Sequence, residues 1–213
     1  MKRGYFITLE GGEGAGKSTV IEFIKDYLQA KNVSLLITRE PGGTEIAEDI
    51  RKILLPKASH YQEPMCPMTE LLLYFASRAQ HLERVIRPAL AQGIWILCDR
   101  FTDSSYAYQG IGRGIPEEIV TQVAHLVHSD LRPDFTLLLD LDPEIGFARI
   151  HKSGRELDRL ESENLAFHQR VRECYLKLAQ KNPQRFRIID ASKTQEQVKV
   201  QLEHILSSIM TAR

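Results

Sequence analysis

The sequence predicts an α/β fold in which helices cover both faces of a parallel β-sheet. Five short apolar runs are nearly continuous rather than alternating, as expected for strands buried on both faces: Tyr5–Leu9, Ser34–Thr38, Ile94–Cys98, Phe135–Leu141 and Arg185–Ile189. Segments with helical spacing of apolar residues separate these runs. Such alternation favours right-handed crossovers and places ligand sites at the carboxyl ends of the strands.

The first predicted helix follows a glycine-rich loop, the second follows Thr44 and the third follows Thr69. The third is predicted to run to about Gln92, with Thr69 as its cap and a kink at Pro88. Its expected core face comprises Leu72, Phe75, Ala79, Leu82 and Ile86.

Proline at a first-turn position predicts two further helices, at Pro116 and at Pro143. The last two are expected over Leu160–Lys181 and from Thr194 to near the C-terminus, where Thr194 and Gln197 have the spacing of a capping box. The sequence contains no repeat or linker signal, so residues 1–213 are interpreted as one domain.

Composition narrows the possible functions. The chain has 213 residues, 43% hydrophobic, and its 28 Lys and Arg balance 28 Asp and Glu. Without an overall positive field, a nucleic-acid-binding scaffold is disfavoured. The three cysteines lack metal-ligand spacing, which favours a reducing cytoplasm, and the first apolar run is too short for a signal peptide or a membrane span.

Residues 11–18 match the pattern G-x-x-x-x-G-K-[ST] between a predicted strand and a predicted helix. In this pattern, backbone N–H groups and the helix N-terminus cradle phosphates, while Lys17 reaches the terminal phosphates of a triphosphate such as ATP. Ser18 is suited to bind Mg²⁺. The predicted nucleotide-binding residues are Gly11, Gly12, Glu13, Gly14, Ala15, Gly16, Lys17, Ser18 and Thr19.

A second magnesium ligand is expected at the end of a neighbouring strand. Asp99 follows an apolar run and is the preferred candidate, whereas Asp140 ends another such run and competes with it. Either carboxylate could instead be an ordinary residue at a strand end.

The phosphate loop alone leaves the reaction open, because GTPases, motor ATPases and small-molecule kinases share it. No Asn-Lys-x-Asp sequence occurs, which weakens the interpretation as a switch GTPase. A kinase requires a second anion site for its acceptor, and Arg39, Arg78 and Arg100 lie near predicted strand carboxyl ends. Any one of them could alternatively form a surface salt bridge.

Five segments together give the sequence a specific resemblance. In order, they are GGEGAGKS at 11–18, TREPGGT at 38–44, LYFASR at 73–78, DRF at 99–101 and GRELDR at 154–159. In content and order the chain resembles bacterial thymidylate kinases. The resemblance implies a P-loop NTPase three-layer sandwich with a five-stranded parallel sheet, a homodimer, and transfer of the γ-phosphate of MgATP to dTMP.

The resemblance also implies roles in catalysis. Glu13 would accept a hydrogen bond from the acceptor's 3′-hydroxyl near the reacting phosphates, with Lys17 and Arg100 completing the catalytic set. Members of this family carry a basic residue either in the phosphate loop or in a mobile lid. The acidic Glu13 and the absence of arginine in the loop place this chain in the second group.

The implied lid covers about residues 147–160, with Gly154 as a hinge. Arg155 is the leading candidate for the catalytic positive charge, and Arg149 and Lys152 remain alternatives. The bases could instead pair with nearby acids on a solvated helix. Arg149 and Lys193 are further expected to contact ATP.

Tyr74 and Arg78 are four residues apart, so one helix face directs a ring and a guanidinium into the same cleft. By resemblance, Tyr74 would stack on thymine and Arg78 would donate to its carbonyl oxygen, unless both are simply exposed. Ser105 and Tyr108 would contact the pyrimidine edge and crowd the ribose 2′ position. The expected acceptor-binding set is Glu13, Arg39, Pro41, Tyr74, Arg78, Arg100, Ser105, Tyr108 and Gln109.

Overall fold

A computed structural model describes residues 3–56, 60–128, 130–153 and 157–211. Its five strands form one parallel sheet in the order β2-β3-β1-β4-β5. The strands are β1 (Phe6–Gly11), β2 (Leu35–Arg39), β3 (Trp95–Asp99), β4 (Phe135–Asp140) and β5 (Phe186–Asp190). The predicted α/β fold with a parallel sheet is therefore confirmed.

Helices connect the strands on both faces of the sheet. They are α1 (Lys17–Ala30), α2 (Glu45–Leu54), α3 (Pro67–His81), α4 (Arg87–Ala91), α5 (Thr102–Ser105), α6 (Glu117–His128), α7 (Pro143–Ser153), α8 (Leu165–Lys181) and α9 (Gln195–Thr211). Two π-helical turns, Leu82–Ile86 and Tyr106–Gly112, follow α3 and α5. Within the described parts of the chain, none of these helices has the length and apolar character needed to cross a bilayer.

Strand β1 is buried along its whole length because helices pack on both faces of the sheet. Ile7 and Leu9 belong to one apolar cluster with residues of α1 and α9, whereas Phe6 packs in another cluster with Ile96 and Leu82. Parallel pairing places Leu9 opposite Asp99. The segments that follow β1 and β3 consequently emerge side by side at the carboxyl edge of the sheet.

Helix α3 differs from the prediction at its start and on its core face. It begins at Pro67 rather than after a Thr69 cap, since proline lacks the N–H that a first-turn residue would leave unbonded. Leu72 is 51% exposed and Ala79 is only partly buried, whereas Leu71 and Arg78 are buried. Phe75, Leu82 and Ile86 are buried as predicted, so the prediction is wrong only at the edge of the face, where the buried Arg78 takes the place of Leu72.

The predicted disturbance at Pro88 takes the form of a π-helical turn. Residues Leu82–Ile86 form this turn immediately before α4, which contains the proline. A proline ring clashes with the carbonyl four residues earlier, here Arg84, and the wider π turn lies at that position.

Side-chain caps explain three other helix starts. Thr44 accepts a hydrogen bond from the Ala47 amide at 3.2 Å, and Thr194 and Gln197 form the predicted reciprocal capping box. Helix α8 begins at Leu165, five residues later than predicted, because Asn164 caps it. The preceding turn is separate, since the Asp158 carboxylate accepts the amides of Leu160 and Glu161.

His128 is buried in the core as a neutral ring. Its Nδ1 lies 3.2 Å from the Leu131 carbonyl oxygen, which can only accept, so Nδ1 carries the proton and Nε2 accepts from the Thr102 hydroxyl at 2.7 Å. Burial lowers the pKa of His128 from 6.5 to about 4.

This depressed pKa predicts an acid-dependent loss of stability. Because the folded pKa lies below the unfolded value, the stabilising contribution is complete above pH 6.5 and is lost as the pH falls towards 4. The expected loss in the free energy of unfolding is on the order of 2 kcal/mol. Urea unfolding of wild type and His128→Gln between pH 7 and 4.5 measures it; identical pH slopes would contradict the prediction.

Candidate active site

A cleft of about 450 Å³ lies at the carboxyl edge of the sheet. Residues from the phosphate loop, the ends of β2 and β3, α3, the second π turn and α7 line it. Most of the residues singled out in the sequence meet there: Glu13, Gly14, Ala15, Gly16, Lys17, Ser18, Thr19, Arg39, Pro41, Tyr74, Arg78, Asp99, Arg100, Tyr108, Gln109 and Arg149.

Several predicted site residues lie elsewhere. Gly11 ends β1 and does not line the cleft, and neither does Gly12. Lys193 lies outside the cleft lining, where its Nζ is 3.5 Å from an Asp190 carboxylate oxygen. Arg155, the leading candidate for the catalytic charge, and the proposed hinge Gly154 fall outside the described residues.

The two competing magnesium ligands differ in their surroundings. Asp140 is ion-paired with Arg172 at 2.7 Å, so its carboxylate already has a cationic partner. Asp99 lines the cleft together with Ser18, and its buried Oδ1 has no hydrogen-bond partner among the described residues. A carboxylate oxygen without a partner among the described residues, in a cleft that a serine also lines, fits Mg²⁺, which prefers oxygen ligands.

Three other residues, Glu40, His81 and Cys98, also bring potential ligand atoms close together. Each of these atoms is already hydrogen-bonded: Glu40 to Arg78 and His81, His81 also to Thr38, and Cys98 to the Arg100 carbonyl. These contacts satisfy the group without a metal ion.

Backbone geometry shapes the phosphate loop. Gly14 and Gly16 have φ values of 70° and 91°, a region that favours glycine, and α1 begins at the next residue, Lys17. A side chain at Gly14 would also collide with the backbone of Gly146 in α7. The loop therefore presents its amides at a helix N-terminus, the arrangement that binds phosphate.

Glu13 and Arg100 form the central ion pair of the cleft. Arg100 Nη2 donates to Glu13 Oε1 at 2.6 Å, and the Tyr108 hydroxyl donates to the same oxygen at 2.8 Å. Burial opposes ionisation of Glu13, but the charges of Arg100 and Lys17 and the Tyr108 hydrogen bond outweigh it and lower its pKa to about 2. Glu13 is therefore an anion at neutral pH.

Glu10, at the end of β1, is a buried carboxylate that the sequence analysis missed. It has no exposed surface and accepts hydrogen bonds from the Phe101 amide, the Ser104 hydroxyl and the Tyr175 hydroxyl at 2.6–2.8 Å. Burial, together with the charge of Asp103, raises the pKa of Glu10 to about 7 despite these donors. The signal available in the sequence was a carboxylate within a strand that is otherwise buried on both faces.

Arg78 is fixed in the wall of the cleft. It is 1% exposed; its Nε donates to Glu40 at 2.6 Å and its Nη1 donates to the Ser105 hydroxyl at 3.1 Å. Ser105 itself is buried behind Arg78 and does not line the cleft. Of these contacts, the sequence analysis missed the Glu40 pairing, because the two residues are distant in sequence.

Tyr74 lies one helical turn before Arg78 and faces the same cleft. It is partly buried, and burial raises the pKa of its hydroxyl, so the ring is neutral and available for stacking.

Glu70 links Gln109, which lines the cleft, to Arg159 in the segment after α7. Its carboxylate accepts hydrogen bonds from Gln109 at 2.8 Å and from Arg159 at 2.6 Å, while Arg113 lies 3.3 Å away. Arg159 also donates to the Leu54 carbonyl of α2. These contacts hold Asp158, Leu160 and Glu161 in the cleft wall.

Among the lid bases in the described part of the chain, Arg149 reaches the cleft. Its Nη1 donates to the Gly14 carbonyl at 3.4 Å and its Nη2 to the Ala191 carbonyl at 3.0 Å, so it bridges the phosphate loop and the end of β5. Lys152, in the last turn of the same helix, is exposed and does not line the cleft.

Comparison with known proteins gives a consistent result. The family model for thymidylate kinase matches residues 9–202. The chain is 51% identical to the thymidylate kinase of Ectopseudomonas mendocina over 98% of both chains, and 50% identical to that of Alcanivorax borkumensis over 97% of both. The crystal structure of thymidylate kinase from Ehrlichia chaffeensis superposes with a TM-score of 0.75 at 32% identity, covering 96% of this chain and 99% of that one. This chain belongs to the thymidylate kinase family.

Proposed function

We propose that this chain is an ATP-dependent kinase that transfers the γ-phosphate of ATP to dTMP, giving dTDP for the synthesis of DNA precursors. The observation that carries the proposal is a single cleft in which a phosphate loop faces a second set of arginines beside an aromatic ring. Such a cleft can bind a triphosphate donor and a phosphorylated base together.

The two halves of the cleft have different tasks. The part of the loop that lines the cleft, from Glu13 to Thr19 and including Lys17, binds the donor phosphates, with Arg149 on the nucleotide side. Arg39 and Arg100 bind the acceptor phosphate, although Arg39 currently pairs with Glu48 at 2.8 Å and must exchange that partner. No covalent intermediate is required, because the acceptor phosphate attacks the donor directly and the protein contributes position and charge.

The nucleoside part of the acceptor binds to a second wall of the cleft. Tyr74 stacks on the base, Arg78 donates to a base carbonyl, and Pro41 and Gln109 complete the pocket. The ionised Glu13 accepts from the 3′-hydroxyl, and Tyr108, which lies against Glu13, crowds the 2′ position. Ser105, which receives a hydrogen bond from Arg78, contributes by holding that guanidinium.

Ser18 and Asp99 are proposed as Mg²⁺ ligands, supported by the unpartnered buried Oδ1 of Asp99. The ion would neutralise charge on the donor phosphates. Residues 1–213 are proposed to form one domain whose lid spans about 147–160. Arg155 is proposed to supply the remaining positive charge from this lid, because the phosphate loop carries no arginine.

The activity is tested by measuring diphosphate formation with MgATP and a panel of deoxy- and ribonucleoside monophosphates. We expect dTMP to give the highest kcat/KM, since the base wall and Tyr108 favour a deoxypyrimidine. Lys17→Ala should reduce turnover at least about 1000-fold while leaving the circular dichroism spectrum unchanged. A faster acceptor, or a Lys17→Ala variant near the wild-type rate, would contradict the assignment.

The lid charge is tested by comparing Arg155→Ala with Arg149→Ala. Because a charge that acts on the transferring phosphate stabilises the transition state, Arg155→Ala should lower kcat about 100-fold with little change in the KM for dTMP. Arg149→Ala should mainly raise the KM for ATP. A reversal of these two patterns would transfer the catalytic role to Arg149.

We also propose a homodimer. Four large apolar side chains are exposed on the adjacent helices α2 and α3: Ile46 (56%), Ile53 (43%), Met68 (44%) and Leu72 (51%). A second copy of the chain covering these helices would remove them from water. A cytoplasmic location is also proposed, supported by the free thiols of Cys66, Cys98 and Cys174.

Sedimentation velocity measures the oligomeric state and so tests the proposed dimer. We expect wild type to sediment as a dimer at micromolar concentration and Leu72→Glu to shift towards monomer, because a charge would be buried in the interface. Val200→Glu is the matched control, since Val200 is 64% exposed on α9, outside the proposed surface. A monomeric wild type, or equal effects of both substitutions, would exclude this interface.

A further inference from the structure

Glu10 has no part in the mechanism described so far. It is fully buried and does not line the cleft, so it cannot touch a substrate. A buried carboxylate is costly unless its surroundings compensate it, and Glu10 is surrounded by three hydrogen-bond donors, all of which belong to or contact the segment around Arg100. Glu10 in β1 and Glu13 in the loop that follows β1 thus both lie near the Arg100 guanidinium.

The hydroxyls of Ser104 and Tyr175 lie between Glu10 and Arg100. Each oxygen is 3.3 Å from Arg100 Nη1, and the same two oxygens are 2.6 Å and 2.8 Å from Glu10 Oε2. A guanidinium can only donate, so both hydroxyls must present a lone pair to Arg100. Their protons then point away from Arg100. The two hydroxyl oxygens also lie 2.8 Å from each other, so one hydroxyl can donate to the other, but both cannot do so at once, and at least one proton goes to the Glu10 carboxylate.

The other oxygen of Glu10 acts on the backbone. Oε1 accepts the Phe101 amide at 2.8 Å, immediately after Arg100, whose φ of 69° is unusual for a residue with a side chain. The Arg100 amide is held in turn by the Leu9 carbonyl at 3.0 Å. Glu10 thus restrains Arg100 both through its main chain and through its guanidinium.

We propose that Glu10 is a positioning residue for the acceptor-phosphate site, which sets the direction of the Arg100 guanidinium by orienting the Ser104 and Tyr175 hydroxyls. Arg100 Nη1 rests on these hydroxyls while Nη2 reaches Glu13 at 2.6 Å, so the guanidinium is fixed from both sides before a substrate arrives. The inference rests on the proposed role of Arg100 in binding the acceptor phosphate.

Glu10→Gln is the informative substitution because it keeps the shape of the side chain but replaces one carboxylate oxygen, an acceptor, with an NH₂ group, a donor. A glutamine that still accepts the Phe101 amide turns its NH₂ towards the two hydroxyls, and their protons are then driven towards Arg100. In an assay well above pH 7, where Glu10 is ionised, we expect kcat/KM for dTMP to fall about tenfold, while the KM for ATP changes less than about twofold. Equal losses for both substrates, or no loss, would overturn the proposal.

A double-mutant cycle separates positioning from a general effect on the fold. The reference variant, Ser104→Ala with Tyr175→Phe, removes both intermediary hydroxyls and should itself lower kcat/KM for dTMP. Adding Glu10→Gln to it should cause no further loss beyond about twofold, since the route to Arg100 is already broken. The same factor in both backgrounds would show that Glu10 acts only through the fold.

Two controls keep the outcome decisive. If Glu10→Gln does not fold, as judged by its melting curve, the Ser104→Ala/Tyr175→Phe variant alone decides, and an unchanged kcat/KM for dTMP would overturn the proposal. Arg100→Ala separates a failure of the proposed Arg100 role from a failure of the proposed Glu10 role. If it leaves kcat/KM for dTMP unchanged, the proposed role of Arg100 fails; if only Glu10→Gln is silent, the positioning role alone fails.

Discussion

The pairing of β1 with β3 is the constraint on which the site depends. Leu9 lies opposite Asp99, so the residues that follow each strand leave the sheet at the same height. Glu10 lies in β1 and Glu13 follows it, while Asp99 ends β3 and Arg100 follows it. A shift of one residue would reverse which side chains face the cleft, and the Arg100 to Glu13 ion pair could not form.

Buried charge organises the walls of the cleft. Glu40 holds Arg78, and Glu70 holds Arg159. Each pair joins segments that are distant in sequence, so neither partner is in place until those segments have come together. The cleft walls are therefore set by interactions that form only when the whole sheet has assembled, which leaves the binding groups oriented in advance.

The sequence was sufficient where the signal is local. Continuous apolar runs located the strands, and the pattern from Gly11 to Ser18 located the phosphate loop, because loop, strand and helix follow one another directly. Periodicity placed Phe75 of α3 in the core correctly but also placed the exposed Leu72 there, since Arg78 contributes buried surface that an apolar pattern does not count.

Long-range contacts had no comparable signal. Glu10 and Tyr175 are 165 positions apart, and Glu70 and Arg159 are 89 apart. Nothing in the neighbourhood of either carboxylate reveals its partner. The resemblance of the motifs supplied candidate residues for the cleft, whereas the contacts that hold those residues in place could be read only from the folded chain.

The close approach of Gly14 and Gly146 has a mechanical consequence. The backbone of α7 touches the phosphate loop so closely that neither position has room for a side chain. The start of the helix that carries Arg149 is thereby anchored to the phosphate loop. An alanine at either position would therefore push α7 and the phosphate loop apart.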